Sequence, residues 1–258
     1  MNQIASFDAF HAAAPEWARP QLSVVVPMFN EVGNAGFVVR DVVAALGALA
    51  YELIVVDDGS TDGTLEALGA LRDEAEPLRV LHHSENAGQS RAIRTGVMAA
   101  RGAVIATIDG DGQNPASDIL ALRAQLLRDD APTALAMVGG VRQGRKDTRS
   151  RLIGSAVARF VRRRVLADPF DDTGCGLKVF KREAFLQLPY FDHQHRYLPL
   201  LMRREGYAVE AHPVGHRPRL TGRSKYTNLG RAAVAIRDVL GVLWLRDRAT
   251  SPSVVEEV

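Results

Sequence analysis

The feature that most constrains the fold is a repeated alternation between short β-branched runs and longer stretches with helical spacing. The apolar runs are Leu22–Pro27, Glu52–Asp57, Leu78–His82 and Ala103–Asp109. The stretches between them are Val32–Leu49, Gly63–Asp73 and Gln89–Ala100. Each run is nearly continuous in valine, isoleucine and leucine, which is typical of strands covered on both faces. The alternation therefore predicts right-handed crossovers and an α/β fold with a doubly wound, mostly parallel sheet flanked by helices.

The second half of the chain is less regular, and its elements are predicted one at a time. They are a helix from Ala116 to about Arg128, a strand at Leu135–Gly140, a basic amphipathic helix at Thr148–Val165, a short strand at Gly176–Phe180 and a terminal helix at Asn228–Leu245. The sequence shows no internal repeat and no low-complexity linker. We therefore predict a flexible lead-in over residues 1–20, one domain over residues 21–227, and a C-terminal amphipathic helix and tail over residues 228–258.

Charge is distributed unevenly along a chain whose net charge is only +2. The segment from Val141 to Arg164 contains nine basic residues and one acidic residue, Asp147. The low net charge argues against a dedicated nucleic-acid-binding protein. The local excess instead predicts a basic surface directed at phosphates or anionic lipid headgroups.

Cysteine content and apolar run lengths bear on where the protein acts. Cys175 is the only cysteine, so no disulfide can form within the chain, which favours a reducing compartment. Residues 1–20 lack a basic start followed by an apolar run, so no signal peptide is expected. No apolar run approaches the roughly 18 residues that a transmembrane helix needs. Any membrane contact is therefore expected to be peripheral.

Polar residues and glycines follow each of the first four predicted strands. These segments are Pro27–Glu31, Asp57–Thr64, Asn86–Gly88 and Asp109–Gln113. In open α/β sheets the ligand lies beyond the carboxyl ends of the strands. Turns also use aspartate and glycine for structural reasons, but four such segments at neighbouring strand ends predict a polar crevice.

Asp109, Gly110 and Asp111 form the sharpest candidate metal site. Two carboxylates separated by one glycine can face the same cation, and Gln113 can add a neutral oxygen. Mg²⁺ or Mn²⁺ suits such a set, because it takes few carboxylates and completes its shell with substrate phosphates and water. The alternative is a structural turn, since Ser117 and Asp118 already begin the next helix.

Several segments resemble a known family in their order and spacing. They are Val24–Glu31 (VVVPMFNE), Ile54–Thr64 (IVVDDGSTDGT), Asn86–Gly88 (NAG) and Ile108–Pro115 (IDGDGQNP). Together they resemble the family 2 glycosyltransferases, which have the GT-A fold with a Rossmann-like nucleotide-binding half and an Asp-x-Asp metal motif. Three later segments resemble the dolichyl-phosphate mannosyltransferase branch and its bacterial polyprenyl-phosphate relatives. They are Gly139–Arg142 (GGVR), Asp172–Arg182 (DTGCGLKVFKR) and Arg219–Lys225 (RLTGRSK).

The resemblance implies a role for each matching position. The residues implied to bind the nucleotide sugar are Pro27, Phe29, Asn30, Glu31, Asp57, Gly88, Asp109 and Gly110. Those implied to bind a divalent metal, Mg²⁺ or Mn²⁺, are Asp109, Asp111 and Gln113. Asp111, Arg142, Arg219 and Lys225 are implied to act in catalysis, the three cations by contacting the donor diphosphate or the acceptor phosphate.

This chain departs from the family pattern at three places. Phe29 stands where the family usually has tyrosine, so one hydroxyl contact is lost. Gln89 stands where many relatives have lysine, which leaves one positive charge fewer near the donor. The segment Asp172–Gly176 replaces a version richer in serine or phenylalanine, so the pocket there is expected to differ. Cys175 is interpreted as a small packed residue rather than a nucleophile.

The reaction predicted from this resemblance is inverting transfer of a hexose or related sugar from a GDP- or UDP-linked donor to a polyprenyl or dolichyl phosphate. The acceptor phosphate is already anionic, so no general base is assigned. The terminal helix, with arginines beside an apolar face, can lie in a membrane interface or pack on its own domain. The expected location is cytoplasmic and peripheral, at the inner face of the cytoplasmic membrane, where an integral-membrane protein is a possible partner.

Three alternatives are weighed against this reaction. A saccharide acceptor would fit a processive relative, but the Gln-x-x-Arg-Trp segment usual there does not occur in this sequence. A nucleotidyltransferase that makes nucleotide sugars would carry a glycine-rich basic loop where this chain has PMFNE. A non-catalytic module could bind RNA or anionic membrane through residues 142–164, but Phe160 is the only aromatic residue there that could stack on a base.

Overall fold

The computed structural model describes residues 20–47, 49–72, 75, 77–143, 162–166, 168–218 and 228–248. Its strands are β1 (Leu22–Met28), β2 (Tyr51–Asp57), β3 (Leu78–His82), β4 (Val104–Thr107), β5 (Leu135–Arg142), β6 (Lys178–Lys181) and β7 (Ala208–Val214). Its α-helices are α1 (Val32–Leu46), α2 (Thr64–Arg72), α3 (Gln89–Ala99), α4 (Asp118–Leu126), α5 (Arg182–Leu186), α6 (Leu198–Arg204) and α7 (Asn228–Asp247). A π-helical turn at Arg162–Leu166 and a 3₁₀ turn at Gln194–Arg196 complete the described elements.

The strands form one seven-stranded sheet in the order β3-β2-β1-β4-β6-β5-β7. Neighbouring strands run parallel except where β6 pairs antiparallel with both β4 and β5. Among the described strands, all but β6 therefore point the same way, which confirms the predicted mostly parallel sheet. Their carboxyl ends meet at one edge, and this edge positions the candidate site.

Helices cover both faces of the sheet, as the continuous apolar runs predict. In β1 the side chains of Val24 and Val26 enter one core and that of Val25 enters the other. The first core is completed by α1, α2 and α4, and the second by α3, α5, α6 and part of α7. Both faces of the central strands are thereby removed from water, which is the main stabilising contribution to such a sheet.

Several element boundaries differ from those predicted. Helix α1 ends at Leu46 rather than Leu49 because Gly47 takes a positive φ of 47° and turns the chain. Strand β4 covers only Val104–Thr107, since the chain then leaves the sheet to form the aspartate-rich turn. The predicted strand at Gly176–Phe180 begins at Lys178 instead. The predicted helix at Thr148–Val165 lies almost entirely outside the described residues.

Strand β7 and the short helices α5 and α6 were not predicted from the sequence. In β7 apolar and polar residues are mixed and Pro213 lies near the end, features that suit an edge strand but obscure the strand signal. None of the helices in the described ranges has the length and apolarity that crossing a bilayer requires.

Candidate active site

The carboxyl ends of β1, β2 and β4 meet closely at the edge of the sheet. Met28 at the end of β1 is paired with Asp57 at the end of β2. Gly110, just beyond β4, lies directly against β1, because a Cβ atom there would come within 2.7 Å of Met28 Cγ and 2.9 Å of the Pro27 carbonyl oxygen. Only glycine fits this contact. The structure thus brings Pro27, Asp57 and Gly110 together, as the strand-end pattern predicts.

The loops that follow β1 and β2 are held together by hydrogen bonds. Asn30 has a positive φ of 52°; its backbone N–H donates to Ser60 Oγ at 2.8 Å, and its Oδ1 accepts from the Thr61 N–H at 2.8 Å. The Glu31 N–H donates to Thr64 Oγ1 at 2.9 Å. Phe29 and Glu31 are partly exposed beside this junction. The sequence DDGSTDGT therefore holds in place the loop after β1, which carries residues predicted to bind the nucleotide.

Asp57 and Asp58 are adjacent in sequence but have different surroundings. The Asp58 carboxylate accepts the backbone N–H groups of Ala87 and Gly88 at 3.0 and 2.8 Å, so it fixes the loop that begins α3. Asp57 is fully buried, with one oxygen 2.8 Å from His82 Nδ1. Its other oxygen has no hydrogen-bond partner among the described residues. A buried polar atom without a partner requires an explanation, and a ligand hydrogen bond would supply one.

Asp109 lies in a tightly fitted environment just after β4. Its Oδ1 accepts from Gln89 Nε2 at 2.9 Å. Burial, followed by the charge of Asp111, raises its pKa to about 6, while Lys178 and Arg142 act in the opposite direction. Gln89, which stands where a lysine is usual, therefore contributes a neutral hydrogen bond at this carboxylate. Lys178, which was not predicted as a site residue from the sequence, also acts electrostatically on Asp109.

Residues 109–113 form a turn after β4, called here the aspartate turn, to which Asp111 and Gln113 belong. Asp111 Oδ1 accepts the Gln113 backbone N–H at 3.1 Å. The Gln113 side-chain Nε2 donates to the Arg217 backbone carbonyl oxygen at 3.4 Å, and the Gln113 backbone carbonyl oxygen accepts the Arg217 N–H at 2.8 Å. The chain that leads towards Arg219 is thereby attached to the aspartate turn. Arg219 and Lys225 themselves lie outside the described residues.

The donor set of this turn suits a divalent cation that is completed by substrate. Within the described ranges, no group of three or more His, Cys, Asp or Glu side chains forms a preassembled metal site. Mg²⁺ does not need one, because it binds through one or two carboxylates together with phosphate oxygens and water. The electrostatic conflict between Asp109 and Asp111 is the arrangement that a cation between them would relieve.

Arg142 reaches the same edge from the end of β5. Its guanidinium is paired bidentately with Asp172, with Nε–Oδ2 and Nη2–Oδ1 distances of 2.7 Å each. Such a pairing fixes the plane of the guanidinium. Arg142 also interacts electrostatically with Asp109. The structure therefore places Arg142 near the aspartate turn, whereas sequence reasoning did not identify Asp172 as its orienting partner.

Lys178 was also missed, although it lies at the start of β6 within a segment that resembles the family. It is buried, and its ammonium donates to the backbone carbonyls of Cys175 and Thr173. Burial lowers its pKa. The side chain therefore holds the Asp172–Gly176 loop in place. The available signal was a lysine inside an apolar strand, since an unpaired buried charge is costly. Cys175 is fully buried, which agrees with a packing role.

Ser90 and His195 form a further pair that the sequence did not indicate. The His195 backbone N–H donates to Ser90 Oγ at 3.2 Å, and the same hydroxyl lies 2.7 Å from His195 Nδ1. The hydroxyl hydrogen can then donate to Nδ1, which favours the tautomer protonated on Nε2. Burial, followed by electrostatic interactions with Arg196, Lys178 and His193, lowers the pKa of this imidazole. The pair links α3 to the 3₁₀ turn at Gln194–Arg196.

Replacing Asp109 with asparagine is expected to stabilise the metal-free protein at neutral pH. The folded-state pKa of about 6 exceeds the ordinary value of 3.8, so the folded protein binds the proton more tightly than the unfolded chain does. The stability that this group contributes is present below about pH 4 and is lost as the pH rises through about 6. Urea unfolding in EDTA should show Asp109→Asn gaining at most about 3 kcal/mol over wild type near pH 7.5, and less near pH 5.

Asp130 provides the matched control for this substitution, because its side chain is 86% exposed. Asp130→Asn should change the unfolding free energy by less than about 0.5 kcal/mol at either pH. Equal stability of wild type and Asp109→Asn at both pH values would show that the Asp109 carboxylate is not electrostatically strained.

The chain is similar to a known protein family and to characterised relatives. Residues 23–188 match the family described as "Glycosyl transferase family 2". The chain is 35% identical over 230 residues to a dodecaprenyl-phosphate galacturonate synthase of Rhizobium johnstonii, covering 87% of this chain and 67% of that protein. It is 30% identical over 210 residues to an undecaprenyl-phosphate 4-deoxy-4-formamido-L-arabinose transferase of Salmonella paratyphi A, covering 80% of this chain and 63% of that protein. The chain thus spans about two thirds of the length of these relatives.

Solved structures show the same fold at lower identity. Glucosyl-3-phosphoglycerate synthase of Mycobacterium tuberculosis, crystallised with Mn²⁺, UDP and glucosyl-3-phosphoglycerate, matches with a TM-score of 0.67 and 21% identity, covering 94% of this chain and 88% of that chain. The same enzyme with Mg²⁺ and UDP also matches with a TM-score of 0.67, at 22% identity and covering 96% of this chain and 86% of that chain. These matches confirm the predicted GT-A fold.

Proposed function

The chain belongs to glycosyl transferase family 2, and from that premise we propose that it transfers a sugar from a nucleotide diphosphate to polyprenyl phosphate with inversion at the anomeric carbon. The two curated relatives support this acceptor, because both are named for sugar transfer to a polyprenyl phosphate. The sugar is a hexose or a related sugar, and the donor carries UDP or GDP. The UDP bound in the structural neighbours supports a UDP-linked donor.

The arrangement around Asp109 is the observation that carries the proposal. The charge of Asp111 raises the pKa of Asp109, and the charges of Lys178 and Arg142 lower it. This combination of clustered carboxylates and fixed cations suits a donor diphosphate bound together with Mg²⁺ or Mn²⁺, with Asp109, Asp111 and Gln113 holding the ion. When bound, the ion would neutralise the charge that develops on the departing diphosphate.

The remaining residues would bind and orient the donor. The wall made by Pro27, Phe29, Asn30 and Glu31 lies where the nucleoside would be held, and the unpartnered oxygen of Asp57 is available for a base or ribose contact. Gly88 and Gly110 allow the backbone to approach the nucleotide. These contacts would hold the anomeric carbon in the geometry for in-line attack. Holding the reactants in that geometry raises the reaction rate.

The chemical step requires no general base, because the acceptor phosphate is already anionic. A phosphate oxygen forms a bond to the anomeric carbon as the bond from that carbon to the diphosphate oxygen breaks, and the electron pair leaves with the nucleoside diphosphate. Arg142, held in plane by Asp172, is placed to stabilise negative charge at this edge. Arg219 and Lys225 are assigned the same function from the family resemblance.

The lipid acceptor implies a place of action at a membrane. The protein would work peripherally at the inner, cytoplasmic face of the cytoplasmic membrane, where nucleotide sugars are available. An integral-membrane protein would be a suitable partner there.

A donor and acceptor panel tests the proposal directly. Purified protein should be incubated with UDP- and GDP-linked sugars, Mg²⁺ or Mn²⁺ and polyprenyl phosphate, and the products scored as glycolipid. Product should form with one donor class, require the cation and carry the inverted anomeric configuration. Transfer only to a saccharide acceptor, or formation of a nucleotide sugar from a sugar phosphate, would contradict the assignment.

A further inference from the structure

Helix α7 is fixed to the domain along one of its faces. Val242 is only 2% exposed, and Val239 and Leu243 pack against the second core. Asp238 Oδ2 lies 3.0 Å from His193 Nδ1, and Arg204 Nε donates to the Leu245 carbonyl oxygen at 3.1 Å. These contacts set the orientation of the helix, so the face directed away from the domain is equally well defined.

That outward face carries a row of exposed apolar side chains. Ile236, Leu240 and Trp244 are 64%, 62% and 61% exposed, which makes them the most exposed large hydrophobic residues in the described part of the chain. Their spacing of four residues places them on one side of the helix. A contiguous exposed apolar row on a helix whose other face holds the packed Val239, Val242 and Leu243 indicates an interaction surface. We call these three residues the α7 row.

Arginines surround the α7 row. Arg237 and Arg246 are exposed on the same helix and Arg248 is exposed directly after its end, and the Arg248 guanidinium lies 5.9 Å from the centre of the Trp244 ring. Arg246 Nη1 donates to the Val165 carbonyl oxygen at 3.1 Å, which joins the Arg162–Leu166 turn to this surface.

The turn adds the exposed Val165 and two further exposed arginines, Arg163 and Arg164. The nearby carboxylates are fewer. Asp247 lies 3.4 Å from Arg246, and Asp171 pairs with Arg163, while Asp238 is turned towards His193. Five arginines against two aspartates leave the surface basic.

We propose that the α7 row and these arginines dock the enzyme onto an anionic phospholipid surface. An amphipathic helix with a tryptophan and flanking arginines suits the boundary between headgroups and acyl chains. A second copy of the chain fits poorly, because a two-fold contact would bring the same arginines of both copies together. The inference rests on the proposed function in one respect, since docking would bring the site to a lipid-linked acceptor.

Vesicle flotation of the full chain tests this surface. Wild type should float with vesicles of phosphatidylglycerol and phosphatidylcholine, and binding should weaken with salt and on pure phosphatidylcholine. The double variant Leu240→Ser/Trp244→Ser should bind anionic vesicles at least about tenfold more weakly, and Arg237→Glu/Arg248→Glu should also bind more weakly. Leu120, an exposed leucine on α4, gives the control Leu120→Ser, which should bind like wild type.

Three results would overturn the docking proposal. They are absence of wild-type binding, equal binding of Leu240→Ser/Trp244→Ser and wild type, and a solution dimer of wild type that the same variant dissociates. Circular dichroism of each variant confirms that it is folded before binding is compared.

Transfer assays separate this inference from the proposed function. The Leu240→Ser/Trp244→Ser variant should match wild type with a short, water-soluble isoprenyl phosphate and be impaired with polyprenyl phosphate in anionic vesicles. Equal activity of variant and wild type on the vesicle acceptor would contradict docking through this surface. If wild type transferred sugar to neither acceptor but still floated through the α7 row, the proposed function would fail while the docking surface would stand.

Discussion

Replacing Asp111 with asparagine is expected to lower sugar transfer by about a thousandfold or more, which corresponds to about 4 kcal/mol of transition-state stabilisation. Asparagine retains a side-chain oxygen that can accept the Gln113 N–H, the contact that shapes the turn. It removes the negative charge that a divalent ion would bind. The loss should therefore appear in the rate of glycolipid formation with saturating cation and donor.

The thermal unfolding midpoint provides the control for Asp111→Asn. It should remain within a few degrees of wild type in the absence of metal, since a turn that keeps its hydrogen bond keeps its structure. Transfer by Asp111→Asn within a few fold of the wild-type rate would remove Asp111 from the metal site, and an unfolded variant would be replaced by Asp111→Ser for the same comparison.

Replacing Gly176 with alanine is expected to lower transfer by at least about a hundredfold. A Cβ atom at Gly176 would lie 2.2 Å from Cγ and Oδ2 of Asp109, far inside van der Waals contact. The Asp109 carboxylate must then leave its present position, in which it accepts a hydrogen bond from Gln89. Because this displacement affects the proposed cation and donor contacts, both the apparent affinity for Mn²⁺ and the turnover rate should fall.

Gly174 in the same loop supplies the matched control. A Cβ atom at Gly174 would approach Arg142 Nη2 to 3.4 Å, the near end of ordinary contact distances, so Gly174→Ala should retain transfer within a few fold. Both variants should be assayed together with thermal unfolding. Equal activity of Gly176→Ala and Gly174→Ala would show that the fitted position of Asp109 is not needed for transfer.

The sequence predicts the first half of the fold well because local and tertiary preferences agree there. Val24, Val25 and Val26 are apolar in succession because helices cover both sides of β1, and the observed cores confirm that interpretation. The polar edge follows from the same logic, since parallel strands place their carboxyl ends together. Strand β7 was missed because Pro213 and its mixed polarity are permitted by its edge position, which the sequence does not reveal.

Much of the site's supporting structure depends on contacts between residues distant in sequence, and these could not be predicted. Asp172 lies thirty residues from Arg142, and Ser90 lies 105 residues from His195. From the sequence, Lys178 is only a residue of a predicted strand. In the structure its ammonium donates to backbone carbonyls of the Asp172–Gly176 loop. The predicted site residues were those within a local motif, whereas Asp172 and His195 have no local signal of their partners and Lys178 has only its position in an apolar strand.

The replacement of a usual lysine by Gln89 illustrates the same limit. From sequence, the substitution implied only a missing positive charge. The structure shows that the Gln89 amide donates to Asp109 Oδ1 and that the buried Lys178 also acts on Asp109. The electrostatic effect of one substitution therefore depends on a second cation that approaches from β6, a relation visible only in three dimensions.

Anomalous diffraction from crystals soaked with Mn²⁺ and a nucleoside diphosphate tests the central proposal most directly. We expect a manganese peak about 2.1 Å from carboxylate oxygens of the aspartate turn, with Asp111 among the ligands and the diphosphate completing the shell. The peak should disappear in Asp111→Asn crystals. A manganese peak remote from Asp109 and Asp111, or a diphosphate bound without any cation at this edge of the sheet, would contradict the proposed mechanism.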